Sequence, residues 1–263
     1  MNVIASIAWT TINEAIRRKV LLVILLIGLL FLIIAPGLSI LSARQNFAVL
    51  SGFTLGVIKL TSAVIAIILT VYLIPNEIER RTIYTILCKP VHRWQFLVGK
   101  YFGAVGALGL MMAMMTAALL LVFRLVQQDV PGEVFAELAK APAAFFIQMS
   151  ILAAVAICLS TFTTPVVNLF LSGGVFLIGT VFSPIFQDLS KNPSINPAVK
   201  SAATFVHSVV PNFAQFDIQN PVINQGIQVR GEGIYFLNLG LYAVTYVAIL
   251  LLIGVLVFDR REV

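Results

Sequence analysis

The chain has 263 residues, of which 60% are apolar and only 11% are charged, and its mean hydropathy is +1.01. Soluble domains carry about 25% charged residues, so this composition excludes a chain that folds in water alone and indicates a membrane protein. The length leaves room for about six hydrophobic spans of roughly 20 residues, and excludes a large soluble domain beside them.

Residues 1–19 predict an amphipathic helix that lies in the headgroup region of the membrane. When these residues are placed on a helix at about 100° per residue, apolar and polar side chains lie on opposite sides of the helix, and Val3 and Ile7 are exceptions on the polar side. The apolar side carries Ile4, Ala5, Ala8, Trp9, Ile12, Ala15 and Ile16. The basic run 17–19 marks the turn into the membrane. A frayed cytoplasmic tail is the alternative.

Six apolar stretches predict six membrane-spanning helices. Mixtures of Leu, Ile, Val, Phe and Ala continue in each for about 20 residues, whereas barrel strands alternate over about 10. The stretches are residues 20–41, 52–75, 94–126, 142–163, 165–187 and 234–258. The first is expected to remain as a signal anchor, because 19 residues including Glu14 precede it and its core exceeds the about 7–15 residues of a signal peptide. The predicted fold is an all-α, polytopic, single transmembrane domain.

Positive charge predicts the orientation. The N-terminal segment, residues 76–100 and the C-terminus together carry ten basic and five acidic residues, a net +5. The connections on the opposite side carry seven basic and six acidic residues, a net charge of +1. Excess positive charge marks the cytoplasmic side, so both termini and 76–93 are expected in the cytoplasm and 188–233 outside. The same bias accounts for the pI near 9.6 without a nucleic-acid partner.

Two cysteines, Cys88 and Cys158, fall on or near the cytoplasmic side of this topology. Thiols stay reduced in the cytoplasm, so no disulfide is expected. In the long outer connection, Val199 to Val210 is mostly apolar but too short to cross a membrane, and Pro211 follows it.

Small residues and one cation are the notable features inside the predicted spans. Gly99, Gly103 and Ala107 recur at i, i+4 and i+8 and predict a face for close helix packing. Lys59 is a cation within the second span, and we expect it to snorkel outward. Lys59 and Arg124 are both expected near the outer membrane boundary, where substitution by Gln should be tolerated. A position in a polar cavity that faces the substrate is the alternative.

The segment 76–93 is polar although it lies between two apolar stretches. Pro75 ends the second span, Asn76 is placed to cap a helix with Glu79 at its N3 position, and Pro90 stops that helix. The predicted helix is too short and too charged to span a bilayer, so it lies on the cytoplasmic surface or presses into a partner. A simple topology anchor is the alternative, but it leaves the acidic residues and the cap unexplained.

These residues also carry a family resemblance. The relevant positions are Glu79-Arg80-Arg81-Thr82, Leu87, Pro90-Val91, Arg93 and Gly99-Lys100. They resemble the E-x-G-T … L … P-V-S-R … G-K pattern of ABC-2-type permeases, the membrane subunits of one class of ATP-binding-cassette transporters. The ending 258–262 is similar to the F-x-R-R-[DE] tail of that family. Arg81 and His92 stand where the family often has Gly and Ser. These two departures weaken an assignment to a particular subfamily but not the assignment to the class.

The resemblance implies that 76–93 is a coupling element seated in a groove of a separate ATPase subunit, and that 1–19 is the connecting helix. The residues expected at that interface are Glu77, Glu79, Arg80, Arg81, Thr82, Ile83, Ile86, Leu87, Pro90 and Arg93. It further implies an exporter permease in the cell inner membrane that encloses its path as a dimer, with a second copy or a paralogue. ATP and Mg²⁺ would then bind the ATPase subunit. Similar subunits have short re-entrant or interfacial helices between the last two spans, and the resemblance implies such a helix at Val199 to Val210.

The chain itself is not expected to be an enzyme or to hold a cofactor or metal. Gly99-Lys100 lacks the upstream glycine and the following Ser or Thr of a nucleotide-binding loop, and no H-E-x-x-H or G-x-S-x-G occurs. Two other functions remain open. One is a membrane scaffold whose ATPase partner does mechanical work on an envelope or motility apparatus. The other, a secondary transporter, would need ionisable residues near mid-membrane, where this chain offers little beyond Lys59.

Overall fold

The computed structural model describes residues 3–40, 46–79, 92–126, 132–182, 210–217 and 232–259, with isolated positions at 185, 188–189, 199–201 and 204–205. Almost all of these residues are helical. The helices are α1 (Val3–Arg17), α2 (Lys19–Ile40), α3 (Asn46–Val71), α4 (Pro75–Glu79), α5 (Arg93–Val126), α6 (Gly132–Ser160), α7 (Pro165–Leu177) and α8 (Glu232–Asp259). A π-helical turn, Ile178–Phe182, continues α7, and Ala214–Phe216 forms a 3₁₀ turn.

Six of the described helical segments are long and apolar enough to cross a membrane, which confirms the predicted number of spans. The segments are Lys19–Gly37, Ala48–Glu77, Arg93–Val126, Leu138–Ser160, Pro165–Phe182 and Gly233–Asp259. The described positions of the predicted outer helix, 199–201 and 204–205, are helical as well.

The helix boundaries differ most from the prediction at the fourth span. That span was expected to begin at Pro142, but α6 begins ten residues earlier, at Gly132, and contains Pro142 in its interior. Proline lacks a backbone N–H and normally breaks a helix, yet membrane helices tolerate it because neighbouring groups compensate. Hydropathy marks where the apolar window starts, whereas the helix continues into more polar residues.

Helices α3 and α6 form the centre of the bundle. About two thirds or more of their spanning windows are buried, 67% and 72%, against 17–28% for α2, α7 and α8. Around this pair, α2 packs on α3 and α5, α8 packs on α6 and α5, and α7 packs on α6 and α3. The outer helices therefore present apolar side chains outward, as expected where the solvent is lipid.

Helix α1 packs along the beginning of α5 rather than standing apart from the bundle. A Cβ on Gly99 would lie 2.9 Å from the side chain of Ile7, and one on Gly103 would lie 2.5 Å from Cβ of Thr11 and 2.8 Å from the carbonyl oxygen of Ala8. The two predicted small residues thus lie against α1, and both helices run in the same direction through the contact. Ala107, the third, is fully buried.

This contact explains why the predicted amphipathic pattern of residues 1–19 had an exception at Ile7. The side of α1 that faces α5 includes Ile7, Thr11 and Ala15, and the last two are 2% and 1% exposed. Trp9, assigned to the apolar side, is 63% exposed. The apolar residues of α1 therefore serve two surfaces, one buried against α5 and one on the outside of the protein.

Candidate functional site

The predicted coupling segment begins as α4, directly after the second span. Asn76 does not cap this helix as expected, because α4 begins at Pro75 and the N–H of Asn76 donates to the carbonyl oxygen of Tyr72 at 3.3 Å. The chain passes from α3 through a tight turn into α4, and Pro75 takes the first helical position, where a missing N–H costs nothing. The described part of the segment is therefore a continuation of the spanning helix.

Glu77 faces the bundle and forms an ion pair with Lys100 of α5. Both side chains are largely buried, with 16% of Glu77 and 5% of Lys100 exposed. The ammonium group of Lys100 also lies 5.7 Å from the ring centroid of Phe96. Because a buried charge is stable only with a partner, this pair fixes α4 to the beginning of α5.

Arg93, at the other end of the segment, binds the end of α8. Its Nη1 donates to the carbonyl oxygens of Phe258 at 3.0 Å and Asp259 at 3.3 Å, and its Nε lies 4.0 Å from Oδ1 of Asp259. A guanidinium is favoured there because the last carbonyls of a helix lack intrahelical partners. The Phe258 ring in turn stacks on Phe96, with 6.3 Å between the centroids.

The structure therefore places three of the ten predicted interface residues, Glu77, Glu79 and Arg93, at one end of the bundle, which we call the base. Glu79 belongs to α4, and Glu77 and Arg93 make contacts within the chain. Seven predicted residues lie outside the described ranges, namely Arg80, Arg81, Thr82, Ile83, Ile86, Leu87 and Pro90. The contact of all ten with an ATPase stays a prediction.

A polar cluster at the opposite end of the bundle was not predicted. Nζ of Lys59 lies 2.9 Å from Oδ2 of Asp217 and 5.4 Å from the ring centroid of Phe145. The expectation that Lys59 snorkels outward is wrong, because its side chain is only 10% exposed and is held by an ion pair. The one signal in the sequence was the cation itself, since an ionisable residue inside a span calls for a partner.

Asp217 belongs to a segment, residues 210–217, that packs on several helices at once and that we call the outer clasp. The N–H of Phe213 donates to the carbonyl oxygen of Gly179 at 3.0 Å, and the N–H of Asn212 donates to the hydroxyl of Tyr242 at 3.1 Å. The hydroxyl of Tyr235 donates to the carbonyl oxygen of Gln215. The outer clasp thereby joins α3, the π-helical turn after α7, and α8.

Gly179 allows the closest of these approaches. A Cβ at this position would lie 2.6 Å from the carbonyl oxygen of Pro211 and 2.7 Å from the ring of Phe213, so no larger residue fits. The π-helical turn that contains Gly179 is a form often found at functional sites. Here it provides the carbonyl group to which the outer clasp binds.

No group of three or more His, Cys, Asp and Glu side chains among the described residues could hold a metal ion. The structure presents a bundle of membrane helices whose two ends are each fixed by the ion pair of a buried lysine, Lys100 with Glu77 at the base and Lys59 with Asp217 of the outer clasp.

Six spanning helices joined in this way define a multi-pass membrane protein. The sequence model of the ABC-2 family transporter proteins matches residues 5–263, nearly the whole chain, and the chain therefore belongs to this family. Comparison with curated proteins found no match.

Proposed function

We propose that the chain is the membrane-spanning permease subunit of an ATP-binding-cassette exporter that is driven by a separate ATPase subunit. The observation that carries the proposal is the match to the transporter family over residues 5–263, in a chain whose described part is almost wholly six spanning helices. Such a chain can form a path through the membrane and has no nucleotide-binding loop to power it. ATP and Mg²⁺ then belong to the partner.

The base is the proposed contact with the ATPase. It is suited to transmit force because α4 is fixed to α5 by the Glu77–Lys100 pair, and Arg93 fixes the beginning of α5 to the end of α8. A push on the segment 76–93 would therefore reach α3, α5 and α8 together. We place the base on the cytoplasmic side because the positive charge of the sequence is concentrated there.

The proposed path lies between two copies of the chain, or between this chain and a paralogue. Helices α3 and α7 are neighbours and expose apolar side chains, including Leu60 at 61% and Phe170 at 73%. Gly56 of α3 and Gly174 of α7 have no other atom within 4 Å of the position that a Cβ would take. Small residues on an exposed membrane face allow the helices of another subunit to approach closely.

Export is proposed rather than import because the sequence shows no feature dedicated to receiving substrate from a delivery protein. The chemical identity of the exported substrate does not follow from the two ion pairs at the ends of the bundle, because Lys59–Asp217 and Glu77–Lys100 are contacts within the chain. Mass spectrometry of small molecules that remain bound to the purified complex is the direct way to identify it.

Charge reversal of the coupling segment tests the proposal. We expect Arg80→Glu with Arg81→Glu to weaken co-purification of the ATPase or to uncouple its hydrolysis, while the six-span body stays folded. An exposed pair contributes under about 1 kcal/mol, but a desolvated charge that loses its partner costs about 2–5 kcal/mol. The matched control reverses two exposed cations away from the base, Arg124→Glu with Lys200→Glu. Unchanged assembly and hydrolysis in the Arg80/Arg81 variant would refute the coupling role.

A further inference from the structure

A polar groove of about 710 Å³ opens at the base between α1 and α4. Its volume lies within the about 300–1,000 Å³ of small-ligand sites. The lining residues that belong to the described part of the chain are all polar or charged: Thr10, Asn13, Glu14, Arg17, Arg18 and Asn76. This groove is not used by the contacts that fix the base, so its polar lining requires a separate explanation.

Both walls of the groove lie at the same membrane boundary. The first spanning segment begins at Lys19, directly after Arg17 and Arg18, and the second spanning segment ends at Glu77, directly after Asn76. On α1, the neighbouring Trp9 is 63% exposed, and tryptophan is enriched at the level of the lipid headgroups. The groove is therefore at headgroup depth.

An apolar surface continues from the groove into the membrane. Val23, Leu26 and Leu30 follow Lys19 at i+4, i+7 and i+11, which places all four on one side of α2. These three side chains are 54%, 63% and 55% exposed, whereas Leu21 on the opposite side is fully buried. A lipid chain that lies along this surface has its headgroup at Lys19 and at the mouth of the groove.

The charge of the groove is positive. Nη2 of Arg18 lies 2.7 Å from Oε1 of Glu14, so this pair is neutral overall. Arg17 and Lys19 are exposed, and in the described part of the chain no carboxylate lies within 4.0 Å of either. Arg17, which lines the groove, and Lys19, which follows two residues later at the start of α2, therefore carry positive charge that none of the described carboxylates offsets.

We propose that this groove binds the headgroup of an anionic phospholipid from the leaflet at the base. A guanidinium donates two parallel hydrogen bonds to a phosphate, and an ammonium adds a compact positive charge. The side-chain amides of Asn13 and Asn76 donate hydrogen bonds to the remaining headgroup oxygens, and the Thr10 hydroxyl, which donates to the carbonyl oxygen of Ile7 at 2.8 Å, can accept one from a headgroup hydroxyl. Anionic lipids are attracted to basic residues at the membrane surface by about 1 kcal/mol per residue, and the groove adds the shape that makes binding selective.

A lipid fits these observations better than a protein partner. The cation Lys19 heads a side of α2 that is exposed to lipid over its length, and a cytoplasmic protein cannot occupy that apolar surface. The proposal requires only that the chain spans a membrane, and does not depend on the proposed coupling to an ATPase.

The test compares lipid binding by the full-length chain in neutral detergent, measured by native mass spectrometry. We expect dioleoyl phosphatidylglycerol to remain bound at about one tenth of the concentration that dioleoyl phosphatidylcholine needs. Arg17→Gln with Lys19→Gln should abolish this preference. The control, Arg124→Gln with Lys200→Gln, removes the same charge at exposed positions away from the groove and should keep it. Size-exclusion chromatography and the thermal midpoint show that both variants are folded.

Three results would overturn the proposal: no preference for phosphatidylglycerol in the wild type, an undiminished preference in the Arg17/Lys19 variant, or an equal loss in the control. Hydrogen exchange of α1 in nanodiscs distinguishes a bound lipid from a bound protein partner. Protection of residues 10–18 by phosphatidylglycerol alone supports a lipid site. Protection that requires an added ATPase, and is the same in both lipids, would assign the groove to the protein partner instead.

Discussion

At the scale of single residues, two lysines of this apolar chain are buried, and each forms an ion pair with a carboxylate. Lys100 pairs with Glu77, 23 positions away in the sequence, and Lys59 pairs with Asp217, 158 positions away. A buried cation without a partner would be far more costly than the helix packing around it could offset. Each pair therefore specifies which helices must lie side by side.

The two partners of the outer pair should respond unequally to mutation. We expect Asp217→Asn to lower the thermal midpoint of the purified protein more than Lys59→Gln, because the first leaves the 10% exposed lysine unpaired and the second leaves a carboxylate that is 36% exposed. Loss of one partner of a buried pair costs about 3–5 kcal/mol, and the more exposed partner costs less.

Reversing the pair provides the control. Lys59→Asp combined with Asp217→Lys should recover part of the stability that either single reversal loses, since opposite charges again face each other. Arg124→Gln, at an exposed position, should leave the midpoint unchanged. Equal stability of Asp217→Asn and the wild type would show that the outer clasp is held by its hydrogen bonds alone.

At the scale of elements, glycines decide where α1 lies. α5 presents Gly99, Gly103 and Gly106 to α1, and the closest approach is at Gly103, where a hypothetical Cβ would lie 2.5 Å from Cβ of Thr11 and 2.8 Å from the backbone oxygen of Ala8. In a membrane, where apolar side chains gain little by leaving lipid, such close backbone approach is a main source of helix association. The pattern of small residues was readable in the sequence, but the helix that would fill it was not.

Alanine substitutions should show which glycines lie against the backbone of α1 and which lie only against its side chains. We expect Gly103→Ala to displace α1, because its Cβ would lie 2.8 Å from the backbone oxygen of Ala8. Gly106→Ala should be tolerated, because its Cβ would meet only the flexible end of Ile12, at 2.9 Å. Trypsin should then cut after Arg17 and Arg18 several times faster in the Gly103 variant alone. Equal cutting of both variants would contradict the packing described.

At the scale of the whole molecule, the two ends of the bundle are fixed whereas one side is left open. The base joins α3, α5 and α8, and the outer clasp joins α3, the turn after α7, and α8. Helices α3 and α7 nevertheless expose apolar side chains and the two open glycines, Gly56 and Gly174. This combination is expected of a subunit that is rigid by itself and completed by a partner.

Larger side chains at the open glycines should block that partner without disturbing the subunit. We expect Gly56→Leu with Gly174→Leu to shift the purified protein from dimer to monomer, because neither new side chain meets an atom of its own chain within 4 Å at Cβ. Gly240→Leu on α8, which is open by the same criterion, is the matched control and should remain dimeric. Mass photometry in detergent measures the distribution, and a dimeric double variant would place the interface elsewhere.

The sequence by itself determined the spans, their number and the family to which the chain belongs. Hydropathy is averaged over consecutive residues, so a spanning helix such as Lys19–Ile40 can be recognised without reference to any other part of the chain. Positive charge in alternate connections likewise predicted which ends lie together, and the contact of Arg93 with Phe258 agrees with that grouping. These properties are local or additive, and both can be counted from the letters alone.

Only the tertiary structure decided which residues meet. The sequence led us to expect that Lys59 snorkels to the membrane boundary, whereas its partner, Asp217, comes from a segment 158 positions further along the chain. Ile7 looked misplaced until α1 was seen against Gly99. Pairing across such distances depends on how the helices rotate and pack in three dimensions. An arrangement that leaves a buried charge without its partner is much less stable than one that pairs it.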